Sequence, residues 1–379
     1  MTERVGSQDL DPYPTEQSGP LPRPGILDIK PYVPGRSGAS NSGPIYKLSA
    51  NESALGASPK ARAAFEETAQ TLSVYPDGDA ALLRSAIAQT YGLDADQIVC
   101  GAGSDEILQL LAKAFLGPDD TIVQSEHGFL VYSLAALACG AQTIKAPETR
   151  LTASVDALAD AVDDTTRIVF LANPNNPTGT CLPDAEVRRL RDLLPDSVLL
   201  AVDCAYAEYL NDDAYGDPAS LVHDYQNVVM TRTFSKIFGL GGLRLGWGYC
   251  PPHIADVLNR IRGPFNVSAP AIAAGVAAVR DQAFVAQNRA HNAEERDRLR
   301  QAVGGLGFET TQSVGNFILI EFPDNDTTSV RDADQFLASK GIFVRRVEAY
   351  GLPNHLRVSI GSREANDAFL SAFEAFVAS

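Results

Sequence analysis

A regular alternation of short apolar runs with amphipathic helical stretches, from about residue 47 onward, is the feature that most constrains the fold. Five mainly apolar runs have the character of strands buried on both faces. They are QIVC (97–100), TIVQS (121–125), RIVFLA (167–172), SVLLAVD (197–203) and NVVMTRTFS (227–235). Between them, EILQLLAKAFL (106–116) and DAEVRRLRDLL (184–194) place their apolar residues on one helical face. Strands that alternate with helices predict an α/β fold, with a mostly parallel central sheet sandwiched by helices.

The pattern changes after about residue 265, where strand-like segments become fewer and more polar. One Ala-rich helix is predicted over 269–303, followed by FETTQ, NFILIEF, a helix near 330–340, GIFVRR, LRVSIG and a terminal helix. We therefore expect a large domain over 47–265 and a smaller α+β C-terminal domain over 266–379. Ahead of them, residues 1–25 have the composition of a flexible tail, and residues 26–46 that of an arm lying on another surface.

Composition excludes several classes of protein. The chain has 31 basic and 47 acidic residues and a formal net charge of −16, which argues against nucleic-acid binding. No apolar run is long enough to span a membrane. The five cysteines are scattered without a CxxC pair, which favours a reducing compartment and no structural metal. The N-terminal segment lacks the apolar core of a secretory signal, so we expect a cytoplasmic protein.

Open α/β sheets bind ligands beyond the carboxyl ends of their strands, so the residues that follow each apolar run are the candidate site. Only seven of the 31 basic residues are lysines, and Lys236 alone follows a long apolar run. An amine in such a partly desolvated place suits imine chemistry. A lysine that merely caps a glycine-rich loop is the alternative.

Two segments around Lys236 suggest phosphate binding. The stretch FGLGGLRLGWG fails the GxGxxG dinucleotide pattern, and no GxxxxGK[ST] occurs, but Arg244 offers a phosphate-binding guanidinium. The turn GAGSDE (101–106) leads from a strand into a helix N-terminus, which attracts anions. An ordinary helix start, with Ser104 as its N-cap, is the alternative there.

Four further residues follow apolar runs. Asp203 ends a buried strand and needs a cation, either a protonated pyridine nitrogen or the arginine of a structural salt bridge. Asn176, in NPNNPTG, and Tyr206 can both donate to a phenolate, although NPNNPTG is also a plain turn sequence. His127 can stack on a ring or be an ordinary loop residue. A ring with a phosphate, a phenolate and a basic nitrogen describes pyridoxal phosphate.

Taken together, NPNNPTG, DCAYAEY, TFSK and GGLRLGW resemble, in this order, the signature of the class I/II aminotransferases of fold type I. The resemblance extends over nearly the whole chain. It implies a pyridoxal-phosphate enzyme that works by a ping-pong mechanism as a homodimer with shared active sites. Lys236 would form the imine and act as general acid and base, Asp203 would pair with the pyridinium, and Tyr206 and Asn176 would hold the phenolate. The remaining cofactor contacts that it implies are Gly103, Ser104, Asp105, Thr233, Ser235 and Arg244, with His127 stacked on the ring and Tyr75 reaching the phosphate from the neighbouring subunit.

Other segments resemble the histidinol-phosphate aminotransferase branch of this family: PRPGILDIKPYVPGR, KLSANES, NFILIEF, GIFVRR and YGLPNHLRVSIG. That branch exchanges an amino group between histidinol phosphate and 2-oxoglutarate, with glutamate as the product. The resemblance implies that Arg357, Arg345, Tyr32 and Asn176 contact substrate, whereas Arg346 is expected to be a solvated charge on an edge strand.

Several alternatives stay open at this point. An aromatic amino acid aminotransferase and a threonine-phosphate decarboxylase would use a similar scaffold. From another class, a non-catalytic regulator that binds pyridoxal phosphate is disfavoured because residues 1–25 carry only Arg4 and Arg23 as basic residues. A nucleotide-binding module is disfavoured because the glycine fingerprints are absent.

Overall fold

The structure is a computed structural model that describes residues 20, 22–23, 25–31, 43–210, 215–323 and 329–379. Most of the expected tail and arm, with Tyr32, therefore lies outside the described residues. In chain order the elements are β1 (Tyr46–Lys47), α1 (Pro59–Glu67), α2 (Ala81–Tyr91), β2 (Ile98–Gly101), α3 (Ser104–Phe115), β3 (Thr121–Ser125), α4 (Leu130–Cys139), β4 (Gln142–Ala146), β5 (Glu148–Thr149), β6 (Thr152–Ala153), α5 (Val155–Asp160), β7 (Thr166–Ala172), α6 (Asp184–Leu193), β8 (Leu199–Asp203), α7 (Ala219–Asp224), β9 (Val228–Thr233), β10 (Gly246–Tyr249), α8 (Pro252–Ile261), α9 (Ala269–Arg280), α10 (Gln282–Gly305), β11 (Glu309–Thr310), β12 (Phe317–Glu321), α11 (Val330–Ser339), β13 (Ile342–Phe343), β14 (Arg345–Val347), β15 (Leu352–Ser359) and α12 (Arg363–Val377).

The large unit is built on a seven-stranded sheet of order β2-β10-β9-β8-β7-β3-β4. All neighbouring strands are parallel except at β10, which runs antiparallel to both β2 and β9. The five strands and the two helices predicted from apolar periodicity are confirmed as β2, β3, β7, β8, β9, α3 and α6. The sequence analysis did not predict β4 and β10.

Both faces of this sheet are covered, which explains its nearly continuous apolar runs. Along β7, Val169 and Leu171 belong to a core cluster on one face, whereas Ile168 and Phe170 belong to a cluster on the other. Within the described ranges, no helix is both long and apolar enough to cross a bilayer.

Glycines let β10 pass close to the helix that follows β2. A Cβ atom on Gly246 would lie 2.1 Å from the backbone nitrogen of Ser104, and one on Gly248 would lie 2.9 Å from the Ile107 side chain. The antiparallel strand therefore fits beneath the start of α3 only because both positions lack a side chain. This contact fixes the N-terminus of α3 against the central sheet.

The smaller unit has a four-stranded antiparallel sheet of order β11-β12-β15-β14 and a core of its own. Its strands and helices confirm the α+β pattern expected for the C-terminal part. The first residues of the folded chain join it, because β1 pairs with β13 and Leu48 packs into this second core.

In the structure, the boundary between the two hydrophobic cores lies further along the chain than residue 265. Ala271 and Val279 of α9 belong to the core of the large unit, and apart from Leu48 the residues that form the core of the smaller unit start at Leu299 in α10. The single helix expected over 269–303 is wrong, because Asp281 leaves helical geometry between α9 and α10. Its carboxylate accepts a hydrogen bond from Lys60 at 2.9 Å, which ties this break to α1.

Candidate active site

A cavity of about 780 Å³ lies at the carboxyl ends of the parallel strands, where the large unit meets the second sheet. The strand ends supply Ala172, Asp203 and Thr233, and the smaller unit supplies Arg345 and Arg357. The residues predicted from sequence that line this cavity are Ser104, Asp105, Asn176, Asp203, Tyr206, Thr233, Ser235, Lys236, Arg244, Arg345 and Arg357.

Lys236 reaches the cavity from the turn after β9. Its Nζ atom lies 3.5 Å from the backbone oxygen of Ala50 and 5.6 Å from the centre of the Tyr206 ring. The turn depends on Gly239, which has a φ of 68° and donates its N–H to the backbone oxygen of Lys236. Any side chain on Gly239 would meet the backbone of Gly56, since a Cβ atom would lie 2.2 Å from the Gly56 oxygen. Lys236 is thus a positioned amine inside the cavity.

Two other lysines line the same cavity but have different surroundings. Lys47 forms an ion pair with Glu52 at 2.8 Å, and Lys113 stands in the last turn of α3. Lys236 differs from both because it lies at the end of a central strand, beside Tyr206. This position favours the imine-forming interpretation over a loop-capping lysine.

Asp203 is the last residue of β8 and is only 4% exposed. Tyr132 donates a hydrogen bond to Oδ2 at 2.7 Å, and Thr231 donates one to Oδ1 at 3.0 Å. Both partners are neutral, and among the described residues no lysine, arginine or histidine forms an ion pair with this carboxylate. Burial raises the pKa of Asp203 to about 6, and the two hydroxyl donors partly offset that rise.

The environment of Asp203 therefore suits a cationic ligand atom better than a structural salt bridge. A protonated pyridine nitrogen would supply the missing positive charge. Tyr132, which sequence reasoning missed, is fully buried and stacks on Phe170 with ring centres 4.7 Å apart. Burial and the neighbouring Asp203 raise the pKa of the Tyr132 hydroxyl, which keeps it a donor.

The start of α3 presents hydrogen-bond donors that suit an anion. Gly103, with a φ of 87°, is the N-cap of this helix and makes no side-chain capping bond, so Ser104 is the first helical residue rather than the cap. The N–H of Glu106 donates to the Gly103 oxygen, and the N–H groups at the very start of the helix, with the Ser104 hydroxyl, are the donors that an anion can use. Any side chain on Gly103 would collide with Arg244, because a Cβ atom would lie 2.6 Å from Nη2.

Arg244 completes this anion cradle from the other side. Its guanidinium donates to Ser235 Oγ at 3.3 Å and to Asp105 Oδ2 at 3.2 Å. The backbone of Arg244 has a φ of 50°, a left-handed conformation that turns the chain back toward β10. Thr233 accepts a hydrogen bond from the backbone N–H of Ser235 at 3.1 Å, which shapes the same turn.

Asn176 joins the two units at the cavity. Its Oδ1 atom accepts a hydrogen bond from Arg357 at 2.5 Å, so its amide nitrogen is left to donate toward a ligand. Arg357 also donates to the backbone oxygen of Ser49 at 2.8 Å. Arg345 stands opposite Arg357 on the neighbouring strand, so two guanidinium groups face one cavity.

Arg346 points elsewhere than its neighbour Arg345. It lies on the edge strand β14, as expected, but carboxylates hold it: Glu348 at 2.9 Å and the buried Asp334 at 3.7 Å. It is thus an ion-paired edge residue rather than a simply solvated one.

The structure places His127 just behind the cavity wall. Its ring is buried and is not among the described residues that line the cavity, and Nδ1 lies 2.7 Å from the backbone oxygen of Tyr350, which does line it. The turn after β3, in which Gly128 donates to the backbone oxygen of Ser125, carries the chain past His127 and brings Phe129 to the cavity wall. Phe129, rather than His127, therefore presents an aromatic ring to the cavity.

Tyr75 does not reach the cavity of its own chain. It is 80% exposed and stacks on Phe265, with ring centres 4.7 Å apart.

The cavity combines an amine, an anion cradle, two arginines and a buried carboxylate that has no cationic partner among the described residues. This combination fits pyridoxal phosphate and an anionic substrate. The chain belongs to the aminotransferase class I and II family, whose family model matches residues 44–373.

Several known proteins are similar to this chain over most of its length. The chain is 53% identical to the histidinol-phosphate aminotransferase of Maricaulis maris over 356 residues, 94% of this chain and 98% of the relative. It is 52% identical to that of Rhodospirillum rubrum over 95% of this chain and 97% of the relative. Among solved structures, histidinol-phosphate aminotransferase from Sinorhizobium meliloti in complex with pyridoxal-5'-phosphate matches with a TM-score of 0.83 and 28% identity, covering 88% of this chain and 91% of that one.

The raised pKa of Asp203 generates a pH-dependent prediction for the cofactor-free protein. The folded-state pKa is about 6 against an ordinary value of 3.8, so the folded chain binds more protons than the unfolded chain between these values. Stability is therefore lost as the pH rises through this interval, by at most about 3 kcal/mol. Asp203→Asn removes this loss, and we expect the variant to melt at a higher temperature than the parent at pH about 8, with a smaller difference at pH about 4.5.

The same substitution should weaken pyridoxal-phosphate binding, because the neutral amide no longer compensates a cationic ring nitrogen. Melting curves of the cofactor-free proteins and cofactor titrations give the two readouts. A melting difference that is the same at both pH values contradicts the buried-charge interpretation.

Proposed function

We propose that the chain is a pyridoxal-phosphate-dependent transaminase that exchanges an amino group between histidinol phosphate and 2-oxoglutarate in histidine biosynthesis. The relatives at 53% and 52% identity support the substrate. The observation on the chain itself that carries the proposal is the buried Asp203 carboxylate, which lies in one cavity with the Lys236 amine.

The cofactor, when bound, supplies an aldehyde that accepts amino groups and a ring that delocalises electrons. Asp203 would keep the ring nitrogen protonated, which strengthens that delocalisation. The first turn of α3, with Ser104, Ser235 and Arg244, would hold the phosphate. Tyr206 and Asn176 would donate to the phenolate oxygen, and Phe129 would pack against the ring face.

Lys236 moves the proton in this reaction. Its amine would hold the cofactor aldehyde in the absence of substrate, and once released it would be the group of this chain placed to accept a proton and to return it. The carbonyl of Ala50, at 3.5 Å, holds the Nζ atom beside Tyr206.

Arg357 and Arg345 select anionic substrates. Seven basic and two acidic residues line the cavity of a chain whose net charge is −16. This local excess of positive charge suits both the phosphate of histidinol phosphate and the carboxylates of 2-oxoglutarate.

The substrate assignment is tested by comparing kcat/KM for histidinol phosphate, phenylalanine and tyrosine as amino donors. We expect histidinol phosphate to give the highest value. A higher value for an aromatic amino acid would indicate an aromatic aminotransferase, and release of carbon dioxide from threonine phosphate would indicate a decarboxylase. Lys236→Ala is the control, because it should keep the fold and lose both activity and borohydride-dependent attachment of the cofactor.

Arg357→Lys tests the arginine that faces substrate. Lysine keeps the positive charge but loses the paired donors that bind Asn176 and an anion together. We expect KM for both histidinol phosphate and glutamate to rise by about tenfold or more, with a smaller change in kcat. Arg346→Lys is the matched control, because Arg346 lies outside the cavity, and its kinetics should equal those of the parent. An unchanged KM for glutamate in Arg357→Lys would contradict the dual role.

We further propose that two copies of the chain form a homodimer with shared active sites in the cytoplasm. An exposed apolar patch supports the dimer: Leu72, Val74 and Tyr75 are 73%, 65% and 80% exposed, and Phe265 lies beside them. Patches of this kind mark protein interfaces. Tyr75 would then reach the phosphate cradle of the partner.

Five free cysteines support a reducing compartment.

Mixing two inactive variants tests the shared site. Lys236→Ala lacks the amine, and Tyr75→Ala lacks the residue given to the partner. A hybrid dimer contains one complete site, so we expect activity to return when the two variants are unfolded together and refolded. Absence of recovery, with dimers present by sedimentation, would exclude a role of Tyr75 across the interface. Leu193→Asp serves as a control, because it alters an exposed leucine at the end of α6, outside the patch, and should leave the dimer intact.

A further inference from the structure

The segment Leu48–Asn51 contacts the chemical groups of the cavity in succession. Ser359 donates its backbone N–H to the Leu48 oxygen at 2.9 Å, and Arg357 donates to the Ser49 oxygen at 2.8 Å. Lys236 lies 3.5 Å from the Ala50 oxygen, and the Asn51 side chain donates to the Tyr206 hydroxyl at 3.0 Å. The last of these contacts has a direction that the surrounding hydrogen bonds determine.

The backbone of Asn51 determines the orientation of its own side chain. Its N–H can only donate, and it donates to Ser359 Oγ at 2.8 Å. The Ser359 hydroxyl has a single proton, and it donates this proton to Asn51 Oδ1 at 2.9 Å. With Oδ1 accepting from Ser359, the other end of the amide is Nδ2, which donates to Tyr206 Oη. This orientation gives an acceptor to each donor of the set, whereas the flipped amide would leave the Ser359 proton without an acceptor among these groups.

This order controls the proton of Tyr206. The hydroxyl oxygen accepts from Asn51, so its single proton is not used in that bond and is free to be donated into the cavity that Tyr206 lines. Asn51 is 1% exposed and Ser359 is 3% exposed, so water does not compete for these groups. Asn51 also has a φ of 54°, in the left-handed region that asparagine, aspartate and glycine tolerate best.

We propose that Asn51, anchored by Ser359, is a positioning residue that makes Tyr206 a hydrogen-bond donor to the anionic oxygen of the cofactor. The inference rests on the proposed function and adds a residue to it. It also links Tyr206 to the substrate-binding strand, because Ser359 lies two residues beyond Arg357 on β15.

Asn51→Asp tests the direction of the hydrogen bond. Aspartate has nearly the same shape and tolerates the same backbone conformation, but at pH about 8 its carboxylate only accepts. The Tyr206 proton would then be donated to the new carboxylate and lost to the cofactor. We expect the dissociation constant for pyridoxal phosphate to rise about tenfold, and the absorbance of the bound cofactor to titrate about one pH unit higher.

Asn51→Gly separates this proposal from a purely structural role. Glycine also tolerates the left-handed conformation, and it leaves the Tyr206 proton unassigned instead of withdrawing it. Donor control predicts that the aspartate variant is impaired more than the glycine variant. A packing role predicts the reverse, because aspartate preserves the side-chain volume and glycine does not. Asn227→Asp, at the opposite end of the sheet, controls for the chemical change itself.

The decisive measurement repeats Asn51→Asp in a Tyr206→Phe background. If Asn51 acts through the tyrosine hydroxyl, the second substitution changes neither the dissociation constant nor the titration midpoint further. An equal effect in both backgrounds, or parental values in the single Asn51→Asp variant, would overturn the proposal. If the parent protein itself binds no pyridoxal phosphate, the proposed function fails instead, so the two failures are distinguishable.

Discussion

The buried carboxylate of Asp203 carries a free-energy cost that the protein alone does not remove. Two neutral hydroxyls donate to it, and the described residues offer it no positive charge. Hydrogen bonds of this kind orient a carboxylate but only partly replace its hydration. A cationic ring nitrogen would recover the remainder, so the group that destabilises the cofactor-free chain would contribute to cofactor affinity. The order of the sheet makes this possible, since β8 lies between β7 and β9 and Thr231 stands directly opposite Asp203.

The distribution of charge in the cavity also favours the binding of anionic ligands. An acidic chain repels anions at long range, yet the arginines and lysines of the cavity outnumber its carboxylates. Low-dielectric walls increase the reach of such a local field. Arg244 and the start of α3 contribute cationic and N–H groups from the large unit, while Arg357 and Arg345 line the cavity from the smaller unit. Separate cationic groups for cofactor and substrate would let one cavity exchange its substrate while the cofactor stays bound.

Much of the fold and of the site could be predicted from sequence, because the last residues of parallel strands lie at the same edge of the sheet. Asp203 and Lys236 could be placed together on that basis alone. The sequence analysis did not predict strand β10, because its glycines are also typical of loops. The structure requires these glycines for the close approach of β10 to α3. Whether His127 or Phe129 lines the cavity depends on the path of the turn after β3. The local sequence pattern does not predict that path. No local sequence pattern pointed to Asn51, because its proposed role comes from contacts with residues 155 and 308 positions away in the chain.

The segment Leu48–Asn51 suggests why the two units act as one site. By its pairing and packing it belongs to the smaller unit, since Leu48 lies in that core and Ser359 binds its backbone. By its side-chain contacts it reaches Lys236 and Tyr206 of the large unit. A shift of the smaller unit would therefore displace Arg357 and the partner of the Tyr206 hydroxyl together. Such a shift would couple the proposed binding of a substrate anion at Arg357 to the proposed hydrogen bond at the cofactor oxygen through the backbone of this segment, with no direct contact between Arg357 and Tyr206 required.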